Sequence, residues 1–251
     1  MCPTPDQRHI LVTGGCGFLG RYVSSVLRHH FPVVSFDVKN TSDDESFFEG
    51  SVTNANDINA AMAGAFGLVI AHMAPRAPGV YDSPEIPFDI NVKGTAMLFD
   101  AAIRHGIQRV VLISSISVFS AAQISEQYLT GDLTPIPDSI YGLTKSHQEQ
   151  VALHYYLNHG LETAILRPAY ISLGENLEDK YGVKRASVNW QFIDPRDIGA
   201  AAYRSLVTPD LACEIFHLVA GPGAEEKTDV RRTMEHLSWT PHFRFTEFPL
   251  D

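Results

Sequence analysis

Tyr141 and Lys145 stand four residues apart in "YGLTKSHQEQ", where helical patterning begins, so their side chains share one helix face. That pairing suits removal of a proton from a hydroxyl group. A free tyrosine titrates near ~10, and ionising it at neutral pH takes roughly 4 kcal/mol of differential stabilisation. A lysine ammonium one turn away supplies much of this. Upstream, "VVLISSISVFS" offers serines at a strand end to orient the hydroxyl under attack. A surface tyrosine packed on a lysine stem would show the same spacing, so the pair needs corroboration.

"ILVTGGCGFLGRYVSSVL", residues 10–27, places Gly14, Gly17 and Gly20 where a β-branched run passes into an amphipathic one. Glycine there permits a tight turn and the close approach of a dinucleotide pyrophosphate. Phe18 and Leu19 open the following helix, whose first N–H groups and partial positive charge face that anion. A glycine-rich turn by itself can be only a turn. Seventeen residues past Gly20, "VVSFD" ends in Asp37, a carboxylate placed to accept hydrogen bonds from adenosine ribose hydroxyls and to repel a 2′-phosphate. NAD is therefore expected over NADP, although Lys39 would soften the repulsion.

Apolar runs alternate with helical patterns in the manner of parallel strands joined by helical crossovers. Strands are expected at 10–13, 33–37, 68–73, 110–114, 163–166 and 215–219. Helices are expected at 21–29, 55–63, 87–105, 140–158, 196–207 and 228–237. The fold class is α/β, a doubly wound parallel sheet over one domain spanning 1–251, with a very small substrate lobe drawn from 170–195 and 221–251. "SDDESFFEG" is expected as a solvated loop, and "LGENLEDKYGVKRASVNWQF" as irregular chain over the sheet edge.

At 251 residues and 45% hydrophobic content, a sizeable core is possible. Nineteen basic against twenty-nine acidic side chains give a formal charge of −10, with no basic run to track a phosphate backbone, so nucleic acid is not an expected partner. The apolar runs are too short to span a bilayer, "MCPTPDQRH" lacks a signal core, and a cytoplasmic location is expected. Cys2, Cys16 and Cys213 fit neither a disulfide framework nor a zinc site and read as free thiols. The eleven histidines show no ligand spacing, so no metal is expected. His72 reads as structural, and His29 and His30 as the cationic end of a helix. Arg76 and Arg167 could read a substrate carboxylate, with a structural role at least as apt for Arg167, and Phe47, Phe48, Phe243 and Phe245 close core edges.

In this order the pieces resemble the extended short-chain dehydrogenase/reductases, the NAD-dependent epimerase/dehydratase group, over nearly the whole chain. "TGGCGFLG" is similar to TGGxGFxG, "AHMAP" stands where HLAA is usual, "NVKGT" matches NVxGT, "YGLTK" is YxxxK and "LSWTP" resembles LGWxP. The resemblance implies a catalytic trio of Ser115, Tyr141 and Lys145, with Ser114 and Ser117 as alternatives should the register of "SSISVF" differ. It also implies cofactor contacts from Ser51 and Val52 near adenine, from Met73, Ala74 and Pro75 along the dinucleotide, and from Ser114 and Pro168 near the nicotinamide, beside Tyr141 and Lys145. Ser51 departs from the aspartate usual at its position. Relatives commonly dimerise through the helices holding "NVKGT" and "YGLTK", so a homodimer is expected.

Three departures bear on substrate. Only seventeen residues separate Gly174 from Phe192, which leaves a nucleotide little to grip; Tyr170 replaces the asparagine of RPxN; and no arginine cluster awaits a diphosphate, although Lys180, Lys184 and Arg185 lie in the lobe. The brevity and "ASVNWQFIDPRDIGAA" are similar to the small uronate dehydrogenases. The expectation is NAD-dependent hydride transfer on a carbinol carbon of a small sugar or sugar acid. Alternatives are an epimerase or dehydratase with transient hydride transfer, and a non-catalytic NAD sensor.

Overall fold

A computed structural model describes residues 8–41, 46–75 and 77–251. The strands are β1 (His9–Thr13), β2 (Val33–Asp37), β3 (Phe47–Glu49), β4 (Ala65–Ile70), β5 (Arg109–Ile113), β6 (Glu162–Pro168), β7 (Tyr170–Ile171), β8 (Phe192–Ile193) and β9 (Cys213–Leu218). The helices are α1 (Phe18–Leu27), α2 (Ala55–Met62), α3 (Glu85–Pro87), α4 (Gly94–Arg104), α5 (Ala121–Glu126), α6 (Ile140–His159), α7 (Pro195–Val207), α8 (Ala224–Lys227) and α9 (Val230–His236). Seven parallel strands form one sheet in the order β3-β2-β1-β4-β5-β6-β9, and β7 pairs with β8 in a small second sheet.

Strand alternation builds both sides of the sheet. Ile10 and Val12 of β1 join Val23 and Leu27 of α1 and Ile198, Ala201 and Ala202 of α7 in one apolar cluster. Leu11, between them, faces the other cluster, with Met62 of α2, Leu98 and Phe99 of α4 and Ala152 of α6. A strand buried on both faces reads as an unbroken apolar run, which is why these central strands could be recognised from sequence.

Several expectations need correction. The strand expected at 68–73 is Ala65–Ile70, and the chain leaves the sheet at Ala71, whose N–H makes a last bond to the Thr13 carbonyl. "SDDESFFEG" is not all loop: Phe47–Glu49 is edge strand β3, paired in parallel with Ser35–Asp37, because the Phe48 ring packs edge-on against Phe36. The helix expected at 87–105 is divided, with a π-helical turn over Phe88–Lys93 between α3 and α4. α5 was not expected; a reciprocal Ser120–Gln123 capping box starts it. The helix expected at 228–237 is α9, with the separate turn α8 before it. Helix α1 ends at Leu27, so His29 and His30 lie beyond it, and His30 stacks on Tyr203 with ring centroids 3.8 Å apart.

The C-terminal chain folds back on the lobe. Val188 and Asp251 exchange backbone bonds with the opposite segment, and the Asp251 carboxylate accepts from Asn189 Nδ2 at 2.9 Å. The Asp197 carboxylate, buried at the start of α7, accepts the N–H groups of His242 and Phe243 at 2.7 and 3.0 Å. Among the described residues, no helix is long and apolar enough to cross a membrane.

Candidate active site

The carboxyl ends of β1, β4, β5 and β6 bring the sequence-predicted residues to one edge of the sheet, where ligands bind in open α/β folds. After β1 the chain turns at Gly14, with a φ of 66°. A side chain there would stand 2.7 Å from the His72 backbone, and one at Gly20 would stand 2.0 Å from the Gly14 carbonyl oxygen. Gly17 is the N-cap of α1, and no side chain caps that helix. Its first N–H groups, beginning at Phe18 and Leu19, therefore remain to receive a ligand anion. Asp37 ends β2 beside this turn: Oδ2 accepts from Cys16 N–H at 3.2 Å and Oδ1 from Val38 N–H at 2.8 Å. Burial raises its carboxyl above the ordinary value, against the pull of those two N–H groups. Open backbone, an uncapped helix start and a carboxylate at the next strand end fit a dinucleotide with free ribose hydroxyls.

Ser51 and Val52 follow β3. The Ser51 hydroxyl lies 2.8 Å from that of Thr53, and Val52 packs where a side chain on Gly94 would collide with it, at 2.8 Å. Met73, Ala74 and Pro75 run out from β4. His72 anchors them: its Nε2 faces the Ile90 carbonyl at 3.1 Å and its Nδ1 the Thr13 hydroxyl at 2.9 Å. A carbonyl only accepts, so Nε2 carries the hydrogen and Nδ1 takes the hydroxyl proton. Burial, with the Lys145 charge adding to it, pushes the ring down to about 3, so this histidine is neutral and structural.

Asn91 of the π-helical turn, within "NVKGT", has a role that its motif alone does not reveal. Its carbonyl accepts Ala74 N–H at 2.6 Å and its amide donates to Thr144 Oγ1 at 2.9 Å, tying the chain after β4 to α6. Helix α6 starts at a Ser139 cap that accepts Gly142 N–H at 3.1 Å. Lys145, 3% exposed, sets Nζ 5.9 Å from the Tyr141 ring centroid and donates to the Ile113 carbonyl at 2.9 Å. The Tyr81 ring meets Tyr141 edge-on at 5.8 Å. Ser115 accepts Ser117 N–H at 3.1 Å, which leaves its own hydrogen to donate, whereas Ser114 donates to Glu149 Oε1 at 2.6 Å. Pro168 closes β6 at the same edge.

Arg167 is not disposed to read a substrate. It is buried and forms a two-bond pair with Glu149, at 2.8 and 2.7 Å. Arg76 and Cys2 lie outside the described residues. Cys16 and Cys213 form no disulfide among the described residues: the Cys16 thiol donates to Asn40 Oδ1 at 3.8 Å, and burial pushes the Cys213 thiol up to about 12. In the lobe, the Tyr170 hydroxyl donates to Asp179 at 3.0 Å and accepts from Arg185 Nε at 2.9 Å. Among the described residues, no three His, Cys, Asp or Glu side chains are grouped to hold a metal ion.

This arrangement coincides with a known family model, the NAD dependent epimerase/dehydratase family, which matches residues 10–180. The chain belongs to that family. Over 85% of its length it is 30% identical to a dTDP-glucose 4,6-dehydratase of Streptomyces antibioticus, covering 72% of that protein. Over 86% it is 27% identical to a uronate dehydrogenase of Pseudomonas syringae pv. tomato, covering 76%. In fold it is similar to a short-chain dehydrogenase/reductase superfamily protein from Agrobacterium tumefaciens solved with bound NAD, with a TM-score of 0.81 and 22% identity over 95% of this chain and 94% of that one. Uronate dehydrogenase from Agrobacterium tumefaciens gives a TM-score of 0.76 at 23% identity, over 99% and 92%. This member of the NAD dependent epimerase/dehydratase family is thus an NAD-dependent enzyme.

Proposed function

We propose that the protein oxidises a carbinol carbon of a small sugar or sugar acid. When bound, NAD supplies the hydride acceptor for the carbinol C–H. Tyr141, as the phenolate, takes the hydroxyl proton while the carbon–oxygen bond becomes a carbonyl. Ser115 donates to the substrate oxygen and holds it toward that phenolate. Lys145 stabilises the phenolate by its charge. The observation that carries this reading is the buried Lys145 ammonium, fixed on the Ile113 carbonyl within 5.9 Å of the Tyr141 ring centroid.

On the same reading, Gly14, Gly17, Phe18, Leu19 and Gly20 hold the pyrophosphate, and Asp37 holds the adenosine ribose. Ser51 and Val52 flank adenine; Met73, Ala74 and Pro75 line the dinucleotide; Ser114 and Pro168 lie by the nicotinamide. A small substrate is favoured by the short lobe, 170–195 with 221–251, on an otherwise single Rossmann domain, and a sugar acid by the likeness to the uronate dehydrogenase. We place the enzyme in the cytoplasm as a homodimer.

Likeness to the dTDP-glucose 4,6-dehydratase favours a second reading, epimerisation or dehydration, in which the hydride returns to the substrate within one turnover. The test is a panel of free uronates, aldoses and nucleotide sugars mixed with protein and NAD. Net NADH with a free uronate or aldose supports the first reading; a changed nucleotide sugar without net NADH supports the second. Tyr141→Phe should abolish either turnover and spare NAD affinity. NAD binding with no turnover of any panel member would overturn both substrate readings.

A further inference from the structure

Glu149 lies one helical turn beyond Lys145 and is buried with Arg167. One of its oxygens accepts from the Ser114 hydroxyl at 2.6 Å and from Arg167 Nε at 2.8 Å; the other accepts from Arg167 Nη2 at 2.7 Å. Ser114 sits between Ile113, whose carbonyl receives Lys145 Nζ, and Ser115. Its N–H donates to the Leu166 carbonyl at 2.7 Å, next to Arg167 on β6. One carboxylate therefore ties α6, the end of β5 and the end of β6 together. Those elements carry Tyr141 and Lys145, Ser115, and Pro168 respectively.

Burying two charges is costly, and well-packed apolar side chains of similar volume commonly hold a core as well or better. What apolar packing does not supply is direction. A guanidinium fork on a carboxylate fixes distance and angle together, and a lysine cannot reproduce it. The Arg167 guanidinium also lies 4.9 Å from the centre of the Phe119 ring, which holds its plane. The two charges cancel, so the ammonium of Lys145 is not offset by the carboxylate one turn away.

We propose that Glu149 and Arg167 are positioning residues for hydride transfer: the pair holds the 113–115 backbone in the setting from which Lys145 Nζ and the Ser115 hydroxyl both reach Tyr141. This rests on the roles given above to Tyr141, Lys145 and Ser115. Among the described residues, Tyr141 meets Lys145 on its own helix and Tyr81 on the chain after β4, and neutral His72 feels the Lys145 charge.

The test compares Arg167→Lys and the apolar pair Glu149→Met/Arg167→Met with the wild type, in the full chain with NAD. Calorimetry should give NAD affinities within about threefold of wild type. With a free uronate, both variants should lose about a hundredfold in kcat, the scale of a misplacement near 1 Å, with little change in KM. The apolar pair should still fold, the orphaned Ser114 hydroxyl costing about 1–3 kcal/mol against what removing two buried charges returns. A stable apolar pair turning over at the wild-type rate would overturn the proposal.

A second readout needs no substrate. Tyr141 ionisation is followed by tyrosinate absorbance, as the difference between each protein and its Tyr141→Phe counterpart. The apolar pair removes no net charge, so its midpoint should rise, by about half a pH unit or more, through displacement of Lys145. An unmoved midpoint overturns the proposal even if no sugar is turned over. A risen midpoint in a protein inactive on the whole panel sinks the substrate reading and supports the positioning role. Should the apolar pair fail to fold, Arg167→Lys carries the same measurement.

Discussion

Adjacent serines at the end of β5 have opposite surroundings, and this separates roles that sequence left open. Ser114 spends its hydrogen on Glu149, while Ser115 only accepts, from Ser117 N–H. Ser115→Ala should therefore lower kcat by about a hundredfold with little loss of stability. Ser114→Ala should cost about 1–3 kcal/mol by leaving part of a buried network unpaired. Turnover and thermal midpoint, measured on both, decide it; the reverse pattern would transfer the role to Ser114. The resemblance points to Ser115 with Ser114 and Ser117 as alternatives, because "VVLISSIS" does not mark where the strand ends, and the partner of each hydroxyl favours Ser115 over Ser114. His72 was legible as structural but not for its partners, which are contributed by β1 and the π-helical turn. Its folded value, about 3, lies below its ordinary 6.5, so the fold prefers the neutral ring. That contribution is complete above pH 6.5 and is lost as pH falls toward 3. Across that window urea stability should fall by roughly 1 kcal/mol per pH unit on this account, and His72→Phe should remove that share of the slope.

Regular elements were legible: α6 is expected at 140–158 and spans Ile140–His159, and β2 has the expected bounds. Irregular elements were not. The π-helical turn over Phe88–Lys93 keeps the apolar period nearly intact in sequence while rotating Asn91 inward, and periodicity does not register one added residue per turn. Yet that turn makes the junction, because Asn91 joins Ala74 N–H to Thr144 of α6. Asn91→Ala would leave a buried N–H unpaired, at a cost of about 1–3 kcal/mol, and loosen α6 from the chain after β4, which the Tyr81–Tyr141 contact still holds. Lower thermal stability together with a fall in kcat is the expected outcome. A fall in stability alone would confine Asn91 to the fold.

At the scale of the molecule, the order of motifs carried the fold, since glycine turn, acidic strand end and Tyr–Lys helix succeed one another as a doubly wound sheet requires. The lobe was legible only as a stretch without period, because its order comes from chain distant in sequence: Val188 and Asn189 bond to 249–251, and Asp197 to His242 and Phe243. The surface carries a further consequence. Leu143, Leu153 and Leu157 are exposed along one side of α6, and Ile86 is exposed on α3, next to the turn where Phe88 meets His147 of α6. A run of exposed leucines on one helix flank is costly in water unless covered, and the two-fold related flank of a second copy would cover it with the same residues. Leu143→Glu/Leu157→Glu should then give a monomer by sedimentation velocity where the wild type sediments as a dimer. The fold of each subunit should persist, since neither side chain belongs to an apolar cluster of the core. A wild type that is monomeric at tens of micromolar, or a double variant that still dimerises, would place the interface elsewhere or remove it.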